Sequence, residues 1–155
     1  MPQVLILLGS KSDAEIGKKA QAIFQRFKVS CELKVASAHR TPERVKKLVT
    51  ESDADVFIAV AGLSAALPGV IASFTVKPVI GVPVSGAVNL DSIMSIVQMP
   101  PGIPVASVGL DRGENAALLA VQILGIKDNK LQKEMLAYRQ EMADKVEKDS
   151  EELCK

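Results

Sequence analysis

Val4-Leu5-Ile6-Leu7-Leu8-Gly9-Ser10-Lys11-Ser12-Asp13 joins an unbroken apolar run to a short polar turn. A strand with one solvated face alternates apolar and polar residues, so a continuous apolar run predicts a strand covered on both faces, as in a parallel sheet. Ile16, Ala20, Ile23, Phe24 and Phe27 follow at helical spacing. The opening of the chain therefore reads as strand, turn and helix.

The same alternation recurs along the sequence. Cys31 to Ala36 is a second predicted strand. Thr41-Pro42 then has the form of an N-cap followed by proline at the first helical position, with a helix over Glu43 to Ser52. Val56 to Val60 is a third strand, followed by the small-residue stretch Ala61 to Gly69 and a helix over Val70 to Phe74. Val79 to Val82 and Val105 to Val108 supply two more strands, and a helix runs from about Asn115 to Leu124. Repeated strand and helix units predict a three-layer α/β fold around a parallel sheet. Beyond Gly125, Asn129 to Lys155 forms a long charged helix with an apolar stripe of Leu131, Met135, Tyr138, Met142 and Val146. Such a stripe either contacts another subunit or packs back on its own. The expected organisation is a single domain, 1–155, with a core over about 1–126 and an extended C-terminal helix over about 128–153.

Composition narrows the function. The chain has 155 residues, 48% of them hydrophobic, enough for one buried core. Nineteen basic residues against eighteen acidic give a net charge of +1, which argues against nucleic acid or an anionic membrane as partner. With 3% aromatic residues and no Trp, no base-stacking surface is expected. The two cysteines, Cys31 and Cys154, are far apart and one histidine offers them no ligand-spaced partner, so both read as reduced thiols and no metal is expected. The first apolar run has no basic leader and stops at Gly9, which predicts a soluble cytoplasmic protein.

Ligands of parallel α/β sheets bind at the carboxyl ends of the strands. Three turns occupy those ends. In Gly9 to Asp13, free N–H groups with the Ser10 and Ser12 hydroxyls would suit an anion and Asp13 would suit ribose hydroxyls; equally, a serine caps the helix and Asp13 favours its positive end. Ser37 to Pro42 combines a hydroxyl, the imidazole of His39 and the guanidinium of Arg40. Arginine presents a planar fork to phosphate, and an imidazole, titrating at about 6.5, both gives and takes protons near neutrality. Ala61 to Gly69 would let a flat heterocycle approach the main chain, or would pack tightly on the sheet. Ser95 to Gly102 ends in a proline-rich turn that reads as a lid or as a rigid loop.

Taken in order, Gly9-Ser10-Lys11-Ser12-Asp13, Ser37-Ala38-His39-Arg40-Thr41-Pro42, Ala65-Ala66-Leu67-Pro68-Gly69, Pro78 to Val84, Gln98-Met99-Pro100 and Asn115-Ala116-Ala117 resemble the N5-carboxyaminoimidazole ribonucleotide mutase family of purine biosynthesis. The resemblance covers about residues 3 to 126. It implies a flavodoxin-like fold, no cofactor, a small ribonucleotide substrate, and a homo-octamer held partly by the C-terminal helix. It also implies a reaction that moves a carboxyl group from an exocyclic nitrogen to a ring carbon, with His39 as general acid and base. By the same resemblance Ser12, Ser37 and Arg40 contact phosphate, Asp13 the ribose and Ser10 the migrating carboxylate. Main chain around Gly9, Ala38, Gly62 and Leu67 borders the imidazole, and the Gln98 turn arrives from a neighbouring subunit.

The family usually carries histidine directly before Leu-Pro-Gly, where this chain has Ala66, and Ser64 replaces a smaller residue. At those positions the chain leans toward the sister carboxylase, which takes free carbon dioxide; Arg40, Thr41-Pro42 and Gln98-Met99-Pro100 favour the mutase. The readings of other classes are a non-catalytic nucleotide-binding module and an assembly protein organised by the terminal helix.

Overall fold

The computed structural model describes residues 2–153. Three central strands carry the core: β1 (Val4–Leu8), β3 (Val56–Ala61) and β4 (Val79–Pro83), every residue of which is buried. Their apolar continuity follows from this burial, because a strand covered on both faces has no position for a polar side chain. With β2 (Cys31–Val35) and β5 (Ala106–Ser107) at the edges, the sheet has the order β2-β1-β3-β4-β5 and every pairing is parallel. This order is that of the flavodoxin-like fold.

The helices are α1 (Ala14–Arg26), α2 (Pro42–Thr50), α3 (Leu67–Ala72), α4 (Asn89–Val97), α5 (Gly113–Gly125) and α6 (Asn129–Leu153). On one face of the sheet Leu5, Leu7, Phe57, Ala59 and Val79 pack with Val45 and Val49 of α2, Leu67 and Ile71 of α3 and Ile96 of α4. On the other, Gly17 of α1 lies so close to Leu8 and Leu33 that an added Cβ would stand 2.7 Å from Leu33. The start of α5 meets α1 more tightly still: a Cβ on Gly113 would lie 2.1 Å from the Ile16 carbonyl oxygen.

The chain divides into two compact units, Met1–Ala120 and Val121–Lys155. Within the second, Asp128 Oδ1 accepts the N–H groups of Lys130 (2.8 Å) and Leu131 (3.3 Å) and so caps α6. Gln132 Nε2 donates to the Gly125 carbonyl at 2.7 Å. Of the predicted stripe, Leu131 and Met135 are buried, while Met142 and Val146 are exposed. The expected Cys154 and Lys155 end of this helix lies outside the described residues.

Several element limits differ from the sequence reading. The helix expected over Val70–Phe74 begins at Leu67, because Pro68 occupies the first turn, where its missing N–H has no bond to make. The strand expected over Val105–Val108 is paired only at Ala106 and Ser107, although the Val108 N–H still donates to Gly81 at 3.2 Å. Thr41 takes the N-cap position of α2 but makes no side-chain capping bond. Its hydroxyl turns back, accepting the Ser37 N–H at 2.9 Å and donating to the Ser37 carbonyl at 3.2 Å.

Candidate active site

The carboxyl ends of β1, β2 and β3 surround a cleft of about 410 Å³. Each of its walls is a turn already visible in the sequence.

The first wall is a single 3-10 turn, Lys11–Asp13, between β1 and α1. It is held by a reciprocal pair: Ser10 Oγ accepts the Ser12 N–H at 3.4 Å, and Asp13 Oδ2 accepts the Ser10 N–H at 3.1 Å. Ser12 Oγ adds a bond to Asp13 Oδ1 at 3.1 Å. Only the capping half of the sequence reading is seen here: Ser10 caps the turn, and the N–H groups of Ser10, Ser12 and Asp13, expected to be free, are taken up within the turn itself, while Ser10, Ser12 and Asp13 line the cleft. Asp13 is only 7% exposed. Burial pushes its carboxyl above the ordinary carboxylate range, against the bonds from Ser12 and Ser10 and the attraction of Arg40.

The second wall is the loop that Thr41 closes onto Ser37, with Ala38, His39 and Arg40 at its tip. Ser37 Oγ accepts from Arg40 twice, from the main-chain N–H at 3.2 Å and from Nε at 3.3 Å. With both lone pairs so engaged, its hydroxyl hydrogen is left to donate to an anion. Arg40 Nη2 crosses to the Gly9 carbonyl at 2.9 Å, which ties this loop to the end of β1. His39 is exposed on the loop and makes no hydrogen bond among the described residues.

The third wall runs from Ala61 to Leu67. Ser64 has a left-handed backbone, φ 51°; its carbonyl accepts the Ala66 N–H at 2.6 Å and its own N–H donates to Asp91 Oδ2 at 2.5 Å. Beyond the cleft, Gln98-Met99-Pro100 follows α4, and the Met99 sulfur packs against Gly69 of α3, 3.2 Å from where a Cβ there would stand. In this chain the turn is therefore packed onto its own α3.

Of the residues singled out in the sequence, Gly9, Ser10, Ser12, Asp13, Ser37, Ala38, His39, Arg40, Gly62 and Leu67 line this one cleft, and the Gln98-Met99-Pro100 turn does not. Two supporting acids were not singled out. Asp91 reaches the third wall from α4. Asp111 accepts bonds from the Ser85 N–H at 2.8 Å and from the Ser85 hydroxyl, and joins the ends of β4 and β5. Burial raises the Asp111 carboxyl, but the Ser85 bonds and nearby Lys19 and Arg112 outweigh it and leave the group below its ordinary range. Both acids act 26 or 27 residues away from their partners, so local sequence carries no sign of them. Among the described residues no three His, Cys, Asp or Glu side chains are grouped to hold a metal ion, and no helix is long and apolar enough to cross a membrane.

A parallel sheet of this strand order, with hydroxyl, guanidinium and imidazole groups converging at its switch point, defines a class of α/β proteins that bind small anionic ligands. Within that class, the chain belongs to the AIR carboxylase family, whose model matches residues 3–145. It is 57% identical over 144 residues to the N5-carboxyaminoimidazole ribonucleotide mutase of Methanocaldococcus jannaschii, covering 92% of each chain. To the mutase of Pyrococcus abyssi it is 52% identical over 147 residues, 92% of this chain and 84% of that one. The crystal structure of Treponema denticola PurE superposes with a TM-score of 0.88 at 30% identity, covering 100% of both chains.

Proposed function

We propose that this protein is an N5-carboxyaminoimidazole ribonucleotide mutase of purine biosynthesis, an isomerase that moves a carboxylate from the exocyclic nitrogen to ring carbon C4. The observation that carries this reading is the gathering of His39, Arg40, Ser37, Ser12 and Asp13 in one cleft of a chain that is 57% identical to a protein bearing that name.

Ser12, Ser37 and Arg40 hold the phosphate, which suits the free hydroxyl hydrogen of Ser37 and a guanidinium already fixed by Gly9 and Ser37. Asp13 accepts from the ribose, and Ser10 contacts the migrating carboxylate. Main chain at Gly9, Ala38, Gly62 and Leu67 borders the imidazole. The substrate's nitrogen takes a proton from His39 as its bond to the carboxylate carbon breaks, which releases carbon dioxide inside the cleft. Ring carbon C4 then attacks that carbon, and the hydrogen displaced from C4 returns to His39. One imidazole thus ends each cycle as it began. The remaining tasks are to orient the ring and to retain carbon dioxide.

The reaction needs no cofactor in this scheme. We place the protein in the cytoplasm as one domain per subunit, assembled as a homo-octamer through α6, whose exposed Met142 and Val146 supply apolar contact. Sedimentation of the purified protein tests the assembly.

The deciding experiment compares turnover of the N-carboxylated ribonucleotide with that of aminoimidazole ribonucleotide plus bicarbonate. Faster use of the first substrate is expected. Faster use of the second pair would assign the chain to carboxylation by free carbon dioxide, and binding without turnover of either would leave a nucleotide-binding module.

A further inference from the structure

Asp91 lies in the first turn of α4 and does not line the cleft, yet it fixes one of the cleft's walls. An acid in a first turn ordinarily answers the positive end of its own helix. This one instead accepts the main-chain N–H of Ser64, 27 residues earlier, on the loop between β3 and α3. The recipient is in the left-handed region, which a serine enters rarely and keeps only when its surroundings hold it there. The holder is itself anchored. The adjacent Ser92 is 1% exposed, and its hydroxyl bonds the carbonyls of Val84 at 3.1 Å and Asn89 at 3.0 Å.

We propose that Asp91 is a positioning residue for the carboxyl-transfer reaction: through the Ser64 N–H it holds the main chain of 62–66 in the conformation that walls the cleft. This rests on the function proposed above. Asp91 touches no substrate. It acts by keeping the third wall in place while the first two walls, on β1 and β2, carry the anion-binding groups.

Two variants of the full-length protein test it. Asp91→Leu removes the acceptor, and Asp91→Asn keeps an oxygen that accepts the same N–H. In the leucine variant kcat should fall about tenfold with a rise in KM below about threefold, because the groups on β1 and β2 are untouched. Amide hydrogen exchange at 63–66 should rise about tenfold while protection of Val56–Ala61 stays as it was. The asparagine variant should return both quantities to within about threefold of the native protein. Native turnover in the leucine variant, exchange that rises equally throughout β3, or an asparagine variant as impaired as leucine would each overturn the proposal. The exchange arm needs no substrate. A native protein inactive on the N-carboxylated ribonucleotide therefore defeats the proposed function, whereas unchanged exchange at 63–66 defeats the Asp91 clamp.

Discussion

Arg40 Nη2 donates to the Gly9 carbonyl at 2.9 Å, so the loop after β2 is fastened to the end of β1 by the same side chain that would meet a phosphate. With Nε on Ser37 at 3.3 Å, the guanidinium plane is set before any ligand arrives. A preset fork loses less freedom on binding than a free arginine would.

Arg40→Ala should therefore raise KM about ten- to a hundredfold, with a smaller loss in kcat. Arg40→Lys should not restore it, because one ammonium on a flexible stem cannot reproduce the planar fork that reaches both Gly9 and Ser37. Steady-state kinetics on the three proteins decides the matter. Unchanged KM in the alanine variant would remove Arg40 from the phosphate site.

His39 sits at the exposed tip of a loop closed by Ser37 and Thr41 and carries no structural bond among the described residues. His39→Asn should leave the melting temperature unchanged and retain ribonucleotide binding by calorimetry. Turnover should fall about a hundred- to ten-thousandfold. A variant with near-native turnover would exclude His39 as the proton carrier.

Asp13 and Asp111 should bend the pH dependence of stability in opposite directions. Asp13 titrates above its ordinary range when folded, so the native state keeps that proton to higher pH than the unfolded chain does. Its contribution is complete below the ordinary carboxylate value and declines as pH rises through the raised one. Asp111 is lowered, so its contribution is complete above the ordinary value and is lost as pH falls through the lowered one. Urea unfolding at intervals from roughly pH 3 to 7 should show the advantage of the native protein over Asp13→Asn shrinking as pH rises. Its advantage over Asp111→Asn should grow over the same range.

Gly113→Ala should destabilise more than Gly81→Ala. At Gly113 the new methyl would meet a main-chain oxygen at 2.1 Å; at Gly81 it would meet side-chain atoms only, the Ile96 Cγ2 methyl at 2.5 Å and the Pro68 ring at 3.1 Å. A loss of about 1–3 kcal/mol is expected at Gly81 and a larger one at Gly113, by urea unfolding. The reverse order would mean that α1 and α5 separate more easily than α4 leaves the sheet.

β1 was legible to the residue because a doubly covered strand leaves its mark on every position, and Gly9 ends it abruptly. Edge elements were less so: β5 is paired at two residues, too few to impose a pattern. The cleft residues named from the sequence were readable because each lies in, or directly after, a turn of contiguous sequence. Asp91 and Asp111 were not, because a carboxylate that holds a loop 26 or 27 residues away looks, in sequence, like any acid near a helix start. The Thr41 hydroxyl was misplaced for a related reason. A threonine before a proline satisfies the capping pattern locally, and only the folded loop reveals that Ser37 is the nearer partner.

The reciprocal bonds of Ser10, Ser12 and Asp13 mean that the first wall is occupied by itself when no ligand is present. A ligand that takes the Ser12 hydroxyl must outcompete the Asp13 carboxyl for it. A sugar hydroxyl can donate to the Asp13 carboxyl without evicting it, whereas a phosphate reaches the Ser12 hydroxyl only by taking it from Asp13, so this corner ties the anion's grip to the release of its own carboxyl.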